Sequence, residues 1–487
     1  MNRLYSHSLE LLTDLYQLTM AYGYWKSAVA EKEAVFHLFY RRNPFGGGYA
    51  IAGGLEYVVE LLQDFRFRDD DLEYLAGLQG NDDLPLFDHG FLDELRSTIF
   101  ICDIDAVPEG TVVFPHEPLI RVTGPIMQCQ ILETALLNIV NFQTLIATKA
   151  SRVCDAAAGE PVLEFGLRRA QGIDGAMAAS RAAYIGGCTA TSNVLAGKLF
   201  GIPVKGTHAH SWIMSFDSEP EAFDAYARAL PNNCVFLVDT YDTLDGVRHA
   251  VQAGRRLREK GHELVGIRLD SGDLSVLSIQ ARRILDEAGF ENAMIVASNN
   301  LDEELIAGLK QQGAAINVWG VGTRLVTAYD QPALGGVYKL AAIRRPGDQW
   351  DYRIKLSEQD VKTSTPGVLQ VRRFRDADQF TTDVIFNDDE GFPDHCSIVD
   401  PLNPTQQRLI HPHKPGIDLL IPVFRRGERV HELPSITEIR EHCAGQLQRF
   451  HPGIRRQSNA DRYPVGLEAG LHDLKIRLIR KGRRQTR

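Results

Sequence analysis

Apolar and polar residues alternate through the middle of the chain in the rhythm of a parallel βα protein. Between residues 161 and 319, short runs rich in Val, Ile and Leu are separated by longer segments with helical spacing. We predict six strands from these runs: Val162–Phe165, Ile202–Lys205, Cys234–Val238, Leu264–Leu269, Ala293–Ala297 and Ala315–Trp319.

Helix start signals lie between several of these strands. Ser218 to Glu221 has the pattern of a capping box with proline in the first turn. Asp302 to Glu304 places negative charge where the dipole of a helix favours it. The most apolar segment, Ile131–Thr148, is interrupted by Glu133 and by amide side chains. We therefore predict a buried helix there and not a membrane span.

Each predicted strand is followed by charged, hydroxyl or glycine residues. In a βα barrel the C-terminal strand ends open on one face, where the chemistry is found. Polar loop residues alone would explain one or two such endings, but six of them predict a functional site. The endings are Gly166–Arg169, Gly206–Ser211, Asp239–Thr240, Arg268–Asp273, Ser298–Asn300 and Gly320–Thr323.

Three of these endings are suited to anions. Glycines in Gly320-Val321-Gly322-Thr323 let backbone N–H groups approach a phosphate closely, although a tight turn has the same pattern. Positive charge comes from three arginines, whose guanidinium groups can bind two carboxylate or phosphate oxygens at once: Arg168, Arg169 and Arg268. The combination predicts a substrate set that carries both phosphates and a carboxylate.

Acidic residues at the same face suggest hydroxyl or magnesium binding. Asp239, Asp270 and Asp273 offer hard oxygen ligands, and Mg²⁺ is usually held by one or two carboxylates plus substrate phosphates. Asp270 or Ser271 equally fits the N-cap of the next helix. The sequence leaves these two roles open.

His208, His210 and Lys205 offer three further kinds of chemistry. A spacing of two puts both histidines on one face of an extended chain. Zinc usually takes three or four ligands, so a nucleophilic or acid–base histidine fits better than a metal pair. Lys205 is an ordinary anion contact or, as an alternative, the Schiff-base lysine of an aldolase-like enzyme.

Composition and charge narrow the class of protein. A length of 487 residues predicts two or three domains, and 44% hydrophobic with 24% charged residues is typical of a soluble protein. The opening stretch has no apolar core of a secretory signal. Seven scattered cysteines without a C-x-x-C pair argue against disulfides and zinc and favour the cytoplasm.

The net charge of −10 disfavours general nucleic-acid binding. Seven Lys or Arg residues between Lys475 and Arg487 are a local exception. We interpret them as a solvated end in preference to a polyphosphate or RNA contact.

Six ordered segments together resemble the nicotinate phosphoribosyltransferases. The resemblance runs from about residue 10 to 370 and thins beyond about residue 375. The segments are Leu12–Met20, Glu164–Gly172, Ser192–Gly197, Gly206–Ser211, Arg268–Asp273 and Gly335–Leu340.

This resemblance implies an α/β fold: an irregular βα barrel of the type II phosphoribosyltransferases with an N-terminal open α/β sandwich domain and a C-terminal extension. We expect the sandwich in residues 1–120 and the catalytic barrel in residues 121–345. Residues 346–487 are expected to complete the N-terminal domain and to add a helical tail.

The implied reaction transfers 5-phosphoribosyl from 5-phosphoribosyl-1-diphosphate to nicotinate, the first step of NAD biosynthesis from nicotinate. The resemblance also implies Mg²⁺ as a cofactor and ATP as a co-substrate whose hydrolysis is coupled to the reaction, as in a ligase. It further implies a cytoplasmic homodimer with its active site at the subunit interface. It implies no membrane and no nucleic-acid partner. The implied site residues are His210 as a phosphohistidine with Asp239 and Asp270; Tyr16, Arg168, Thr207 and Arg268 for nicotinate; and Gly320, Gly322 and Thr323 for the phosphoribosyl donor.

Several alternatives remain at this point. His208 is the second candidate for phosphorylation. A nicotinamide-specific relative would need an acidic acceptor for the amide, and the matching loop Cys188–Asn193 has no acid. A quinolinate enzyme would need a second carboxylate clamp and has a much shorter chain. A barrel that binds nucleotides without catalysis would release no diphosphate.

Overall fold

The computed structural model describes residues 9–27, 29–357, 363–400, 403–410 and 415–485, with the side chains of residues 403–406 and 485 left undescribed. The helices are α1 (Leu15–Trp25), α2 (Leu55–Gln63), α3 (Asp69–Ala76), α4 (His89–Ser97), α5 (Ile126–Ile131), α6 (Glu133–Ala157), α7 (Gly172–Ile185), α8 (Val194–Phe200), α9 (His210–Met214), α10 (Glu219–Ala229), α11 (Thr243–Arg258), α12 (Leu274–Glu287), α13 (Glu303–Gln311), α14 (Thr323–Val326), α15 (Ile436–Gln448) and α16 (Ala469–Gln485).

Strands are distributed along the whole chain. They are β1 (Glu33–Phe39), β2 (Ala50–Ile51), β3 (Asp103–Ala106), β4 (Val112–Val113), β5 (Ile120–Pro125), β6 (Val162–Glu164), β7 (Ala190–Thr191), β8 (Val235–Leu237), β9 (Gly266–Leu269), β10 (Met294–Ala297), β11 (Val318–Val321), β12 (Val337–Arg344), β13 (Asp351–Tyr352), β14 (Leu369–Asp376), β15 (Gln379–Asn387), β16 (Cys396–Asp400), β17 (Asn403–Ile410), β18 (Gly416–Asp418), β19 (Ile421–Arg425), β20 (Glu428–Arg429) and β21 (Val465–Glu468).

The middle of the chain forms a parallel sheet in the order β7-β6-β11-β10-β9-β8. Five of the six predicted strands are confirmed as β6, β8, β9, β10 and β11, although β11 begins three residues later than predicted. The predicted strand at Ile202–Lys205 is wrong. Only a single bridge between Val204 and Thr191 forms there, because Pro203 has no N–H to donate to a ladder. The two-residue strand β7, which the pattern missed, pairs with β6 instead.

Both predicted helix starts are confirmed, although only the Ser218 half of the predicted capping box forms. Ser218 caps α10 through a bond from the N–H of Glu221, and Asp302 caps α13 through a bond from the N–H of Leu305. The apolar segment Ile131–Thr148 lies almost entirely within the buried helix α6. Within the described ranges, every helix is too short or too polar to traverse a lipid bilayer.

A histidine side chain bridges the gap between the two edges of the parallel sheet. No ladder joins β8 to the segment around Val204 among the described residues. Instead, Nε2 of His208 accepts a hydrogen bond of 3.3 Å from the N–H of Leu237 on the outer edge of β8. The ring is buried against Phe236 and neighbouring aromatic rings. This contact is a hydrogen bond between the segment that follows the bridge at Val204 and the opposite edge strand of the sheet.

Strands from both ends of the sequence share the seven-stranded antiparallel sheet. Its order is β13-β12-β1-β5-β3-β19-β20, so strands from the first 125 residues pair with later ones. The strands β5 and β12 lie at the two ends of the range 121–345 that we assign to the barrel. A third sheet, β17-β16-β21-β15-β14-β18, contains only late strands.

Buried arginine clusters join these layers. The fully buried Arg181 of α7 donates from both terminal nitrogens to the carboxylate of Glu109 at 2.7 Å, and from Nε to Glu56 at 2.7 Å. Glu109 also accepts the N–H of Gly54 at 2.6 Å. Burial raises the pKa of Glu109, but the positive charge of Arg181 and its hydrogen bonds lower it. The pKa therefore lies below its usual value. A helix of the barrel is thus tied to the N-terminal half of the chain.

Removing Arg181 should destabilise the fold strongly. In Arg181→Met the carboxylate of Glu109 stays buried without its partner, which costs about 3–5 kcal/mol. Urea unfolding followed by circular dichroism measures this free energy. The control is Arg96→Met, whose ion pair with Asp93 is solvent-exposed and for which we expect a loss below about 1 kcal/mol. Equal losses in the two variants would contradict the structural role of Arg181.

His208 should make the fold sensitive to acid. Burial lowers its pKa from 6.5 to about 4, so between these values the unfolded chain binds a proton that the folded chain excludes. Stability contributed by the neutral ring is therefore present at neutral pH and lost as the pH falls. His208→Gln keeps an acceptor for Leu237 but cannot titrate. Between pH 7 and pH 5 its free energy of unfolding should fall about 2 kcal/mol less than that of the wild type. If the free energy of unfolding fell equally in the variant and the wild type, the ring of His208 would not be neutral and buried in the folded chain.

Candidate active site

Arg268 lies at the centre of the strand-end face. It belongs to β9 and is in register with Val296 of β10 and Leu237 of β8. Its side chain is only 16% exposed. Each of its three nitrogens has a partner: Nε donates to Ser298 Oγ at 2.9 Å, Nη1 to Thr207 Oγ1 at 3.1 Å and Nη2 to Asp270 Oδ1 at 3.0 Å.

These three bonds leave part of the guanidinium available. Arginine has five N–H groups, one on Nε and two on each terminal nitrogen. One N–H on Nη1 and one on Nη2 of Arg268 are not used by these bonds, and together they can form a fork. A fork of this kind matches the two oxygens of a carboxylate. The predicted nicotinate residues Thr207 and Arg268 are thus in direct contact.

Asp270 does not cap helix α12. Helix α12 is capped by Asp273, whose Oδ1 accepts the N–H groups of Ser275 and Val276 at 3.1 Å. Asp270 is therefore free to contact Arg268 and Ser298 through Oδ1. Its other oxygen, Oδ2, lies 4.0 Å from Nε2 of His210.

Asp239 and His210 complete the acidic side of the site. The buried Asp239 accepts through Oδ2 from the N–H of Asp270 at 3.0 Å and from Ser271 Oγ at 2.6 Å. Its Oδ1 is buried with no hydrogen-bond partner in the described part of the chain and lies 3.9 Å from Nε2 of His210. Nδ1 of His210 is 3.1 Å from Thr240 Oγ1. With Nδ1 as the donor, Nε2 carries the free lone pair and faces both carboxylates.

His208 and Lys205, two further candidate residues near His210, differ from it in burial and in hydrogen bonding. His208 uses Nε2 for the edge of β8 and is buried, whereas the side chain of His210 is 40% exposed at the start of α9. His210 is therefore the accessible imidazole of the pair. Lys205 is exposed. A Schiff-base lysine is activated by desolvation or by a cationic neighbour, so solvent exposure does not favour the aldolase alternative.

The residues fit a magnesium ion that is shared with substrate. Nowhere in the described ranges do three or more His, Cys, Asp or Glu side chains form a metal-binding group. The unpartnered Oδ1 of Asp239 and Oδ2 of Asp270 both face the same space beside His210. Two such oxygens suit Mg²⁺, which takes its remaining ligands from phosphates and water.

The glycine-rich ending Gly320–Thr323 begins within β11 and continues beyond it. Strand β11 lies two strands from that of Arg268 in the same sheet, which corresponds to about 10 Å. A side chain at Gly320 would place Cβ 2.8 Å from the ring of Phe165, and one at Gly322 would place it 3.1 Å from the Phe165 carbonyl oxygen. Close packing of β11 against the end of β6 therefore requires both glycines. Thr323 begins α14 at the same end of the strand.

No hydrogen bond or ion pair among the described residues joins the remaining predicted residues, Arg168 and Tyr16, to this cluster. Arg168 lies exposed in the 3-10 turn Leu167–Arg169 after β6 and has no ion pair with any described residue. Tyr16 lies on α1, which packs against α5 and not against the strand ends. Its side chain is half-exposed, and partial burial with the nearby Glu133 raises its pKa. Within one chain, Tyr16 has no contact with Arg268.

The structure adds Ser298 and Thr240, to which the sequence assigned no role. Both belong to the strand endings, so their location was predicted. Their function was not, because a hydroxyl that contacts an arginine or a histidine across the sheet leaves no spacing signal in the sequence.

Comparisons with known proteins agree with this architecture. The chain matches the nicotinate phosphoribosyltransferase N-terminal domain over residues 11–141, the nicotinate phosphoribosyltransferase family over residues 161–351 and the nicotinate phosphoribosyltransferase C-terminal domain over residues 370–475.

Full-length relatives are similar throughout. The nicotinate phosphoribosyltransferase of Bacillus subtilis is 44% identical over 485 residues, covering 97% of this chain and 95% of the relative. The human one is 36% identical, with 95% of each chain covered. The crystal structure of human nicotinic acid phosphoribosyltransferase superposes with a TM-score of 0.84 at 35% identity, over 96% of this chain and 99% of that chain. This chain belongs to the nicotinate phosphoribosyltransferase family.

Proposed function

We propose that the chain transfers the 5-phosphoribosyl group of 5-phosphoribosyl-1-diphosphate to nicotinate, giving nicotinate mononucleotide and diphosphate. The observation that carries this proposal is the free fork of Arg268, which is held between Thr207 and Asp270 at the strand ends. It offers a nicotinate carboxylate two N–H groups, and the ring nitrogen of nicotinate is left free to react.

The bond that breaks joins C1 of the ribose to the diphosphate, and the bond that forms joins C1 to the pyridine nitrogen. That nitrogen is already an unprotonated nucleophile, so no general base is required. The work of the site is to align the reactants and to stabilise the departing diphosphate. Bound Mg²⁺ would neutralise phosphate charge. Asp239 and Asp270 are suited to hold ribose hydroxyls or that ion, and the glycines at 320 and 322 with Thr323 are suited to the 5-phosphate.

We further propose that ATP is a co-substrate and that His210 accepts its terminal phosphoryl group. Nε2 attacks the γ-phosphorus, ADP leaves, and water later cleaves the phosphohistidine to release phosphate. The accessible ring and its orientation by Thr240 support this assignment. A phosphoryl group adds about −1.5 to −2 charge beside Asp239 and Asp270. This charge would reorganise nearby cations and so couple ATP hydrolysis to synthesis.

A homodimer in the cytoplasm completes the proposal. The half-exposed Tyr16 has no contact with its own strand ends, which supports a role in the partner's site. All seven cysteines are free thiols, as is usual in a reducing compartment. Nicotinamide is disfavoured because Asn193 in the loop 188–193 already caps α8 and contacts Ser180, and no acid lies in that loop.

The direct test measures nicotinate mononucleotide formation from nicotinate and 5-phosphoribosyl-1-diphosphate, with and without ATP, together with diphosphate release. We expect synthesis in both cases and more product with ATP. Binding of the substrates without release of diphosphate would support a non-catalytic protein instead.

Arg268→Met should reduce kcat/KM for nicotinate by roughly 100-fold or more, corresponding to about 3 kcal/mol, because a charged carboxylate loses its buried partner. Steady-state kinetics with Arg96→Met as a distant control measures this effect. An unchanged KM for nicotinate would show that the carboxylate binds elsewhere.

His210→Ala should abolish ATP hydrolysis while retaining some ATP-independent synthesis, since the phosphoryl acceptor is lost but both substrate sites remain. His208→Gln serves as the control and should still form an acid-labile phosphoenzyme from γ-labelled ATP. Normal ATP hydrolysis by His210→Ala in the presence of both substrates would refute the assignment.

A further inference from the structure

We propose that Ser298 is a positioning residue that sets the selectivity for a carboxylate on the pyridine ring; this inference rests on the proposed function. Ser298 follows β10, and no contact to substrate is required of it. Its action on the reaction passes entirely through Arg268 and Asp270.

Ser298 closes a ring of three hydrogen bonds. Its hydroxyl donates to Asp270 Oδ1 and accepts from Nε of Arg268 at 2.9 Å, while Nη2 of Arg268 donates to the same Asp270 oxygen at 3.0 Å. A hydroxyl has one donor and two acceptor positions. It can therefore satisfy an arginine N–H and a carboxylate oxygen at the same time, which neither a carbonyl nor an aliphatic group can do.

The ring fixes the plane of the guanidinium. With Nε bound to Ser298 and Nη1 bound to Thr207 at 3.1 Å, rotation of the guanidinium would break two bonds. Without the hydroxyl of Ser298, Nε of Arg268 has no acceptor. The carboxylate of Asp270, which already binds Nη2, is then the nearest replacement. The guanidinium is then expected to turn toward Asp270 in a bidentate pair, and the free fork leaves the position that nicotinate needs.

Burial makes this loss costly. Ser298 is only 4% exposed and the side chain of Arg268 is 16% exposed. A buried donor without a partner costs about 1–3 kcal/mol. Nicotinate offers two charged oxygens to the fork, whereas nicotinamide offers one neutral acceptor. Misplacement of the fork therefore penalises nicotinate more than nicotinamide.

The backbone beyond Ser298 is held in an unusual conformation. The N–H of Ser298 bonds to the Leu269 carbonyl at 2.9 Å, which keeps it in register with β9. The next two residues, Asn299 and Asn300, have φ angles of +94° and +49°. Consecutive left-handed residues other than glycine are strained, and such strain is concentrated at functional sites. Here the turn ends the strand directly after the residue that holds Arg268.

The test is Ser298→Ala with Ser278→Ala as the matched control. Ser278 is also a buried serine whose hydroxyl accepts an N–H, from Ala315 at 3.1 Å, and donates to a carbonyl, that of Ser275 at 2.9 Å. It lies within α12, away from the strand-end face. Thermal unfolding should show similar losses of stability in the two variants.

Kinetics should separate the two variants. We expect Ser298→Ala to raise KM for nicotinate about 10-fold or more with a smaller change in kcat, and to lower the selectivity for nicotinate over nicotinamide by a similar factor. Ser278→Ala should leave both quantities unchanged. Ser298→Cys, which is similar in shape but a weak hydrogen-bonding group, should lie between Ser298→Ala and the wild type.

Two outcomes would overturn the inference: a Ser298→Ala enzyme with wild-type KM and selectivity, or a Ser278→Ala enzyme with the same kinetic defect as Ser298→Ala. Both are distinct from failure of the proposed function, in which the wild-type chain itself would make no nicotinate mononucleotide. If Ser298→Ala is too unstable to assay, calorimetric titration of Ser298→Cys with nicotinate decides the question, and wild-type affinity contradicts the inference.

Discussion

The arrangement of the site depends on the guanidinium of Arg268, which is held by three hydrogen bonds to the protein and has two N–H groups that these bonds do not use. Arg268 donates to Ser298, Thr207 and Asp270, which come from the ends of β10 and β9 and from the loop after the bridge at Val204. These three bonds hold the guanidinium before any ligand arrives, and one N–H on each terminal nitrogen is not used by them. Because the group is buried and already ordered, little entropy is lost when a carboxylate binds. Asp270 extends the network toward His210 and so connects the proposed carboxylate site with the proposed phosphoryl acceptor.

The scaffold explains why these endings converge. Parallel neighbours from β7 to β8 bring their C-terminal ends to one edge, and His208 bridges the two outer edges of the sheet. The Arg181 cluster ties the barrel helix α7 to the N-terminal half. Two histidines that are two residues apart thereby differ in their surroundings: His208 is buried, with its pKa lowered to about 4, and His210 remains accessible.

The sequence predicted much of this arrangement because strand endings are local signals. The βα rhythm indicated five of the six strands, and the polar endings indicated the face on which Arg268, Asp270 and His210 lie. Contacts between residues distant in sequence carry no such signal. The sequence offered Asp270 or Ser271 as the cap of α12, whereas Asp273 caps it, because the start of a helix is not fixed by local sequence to within a few residues. The bridge from His208 to Leu237, and the hydroxyl of Ser298 on Arg268, depend on the register between strands. Tyr16 is a residue for which one chain is not sufficient, because its proposed site lies in a second copy.

A crystal structure of the chain with nicotinate and 5-phosphoribosyl-1-diphosphate bound tests the central claim most directly. The account predicts the nicotinate carboxylate on the two free N–H groups of Arg268 and the donor's 5-phosphate against residues 320–323, both within one cavity at the strand ends. A carboxylate held by Arg168 or by another cation, with Arg268 still turned toward its own protein partners, would contradict it.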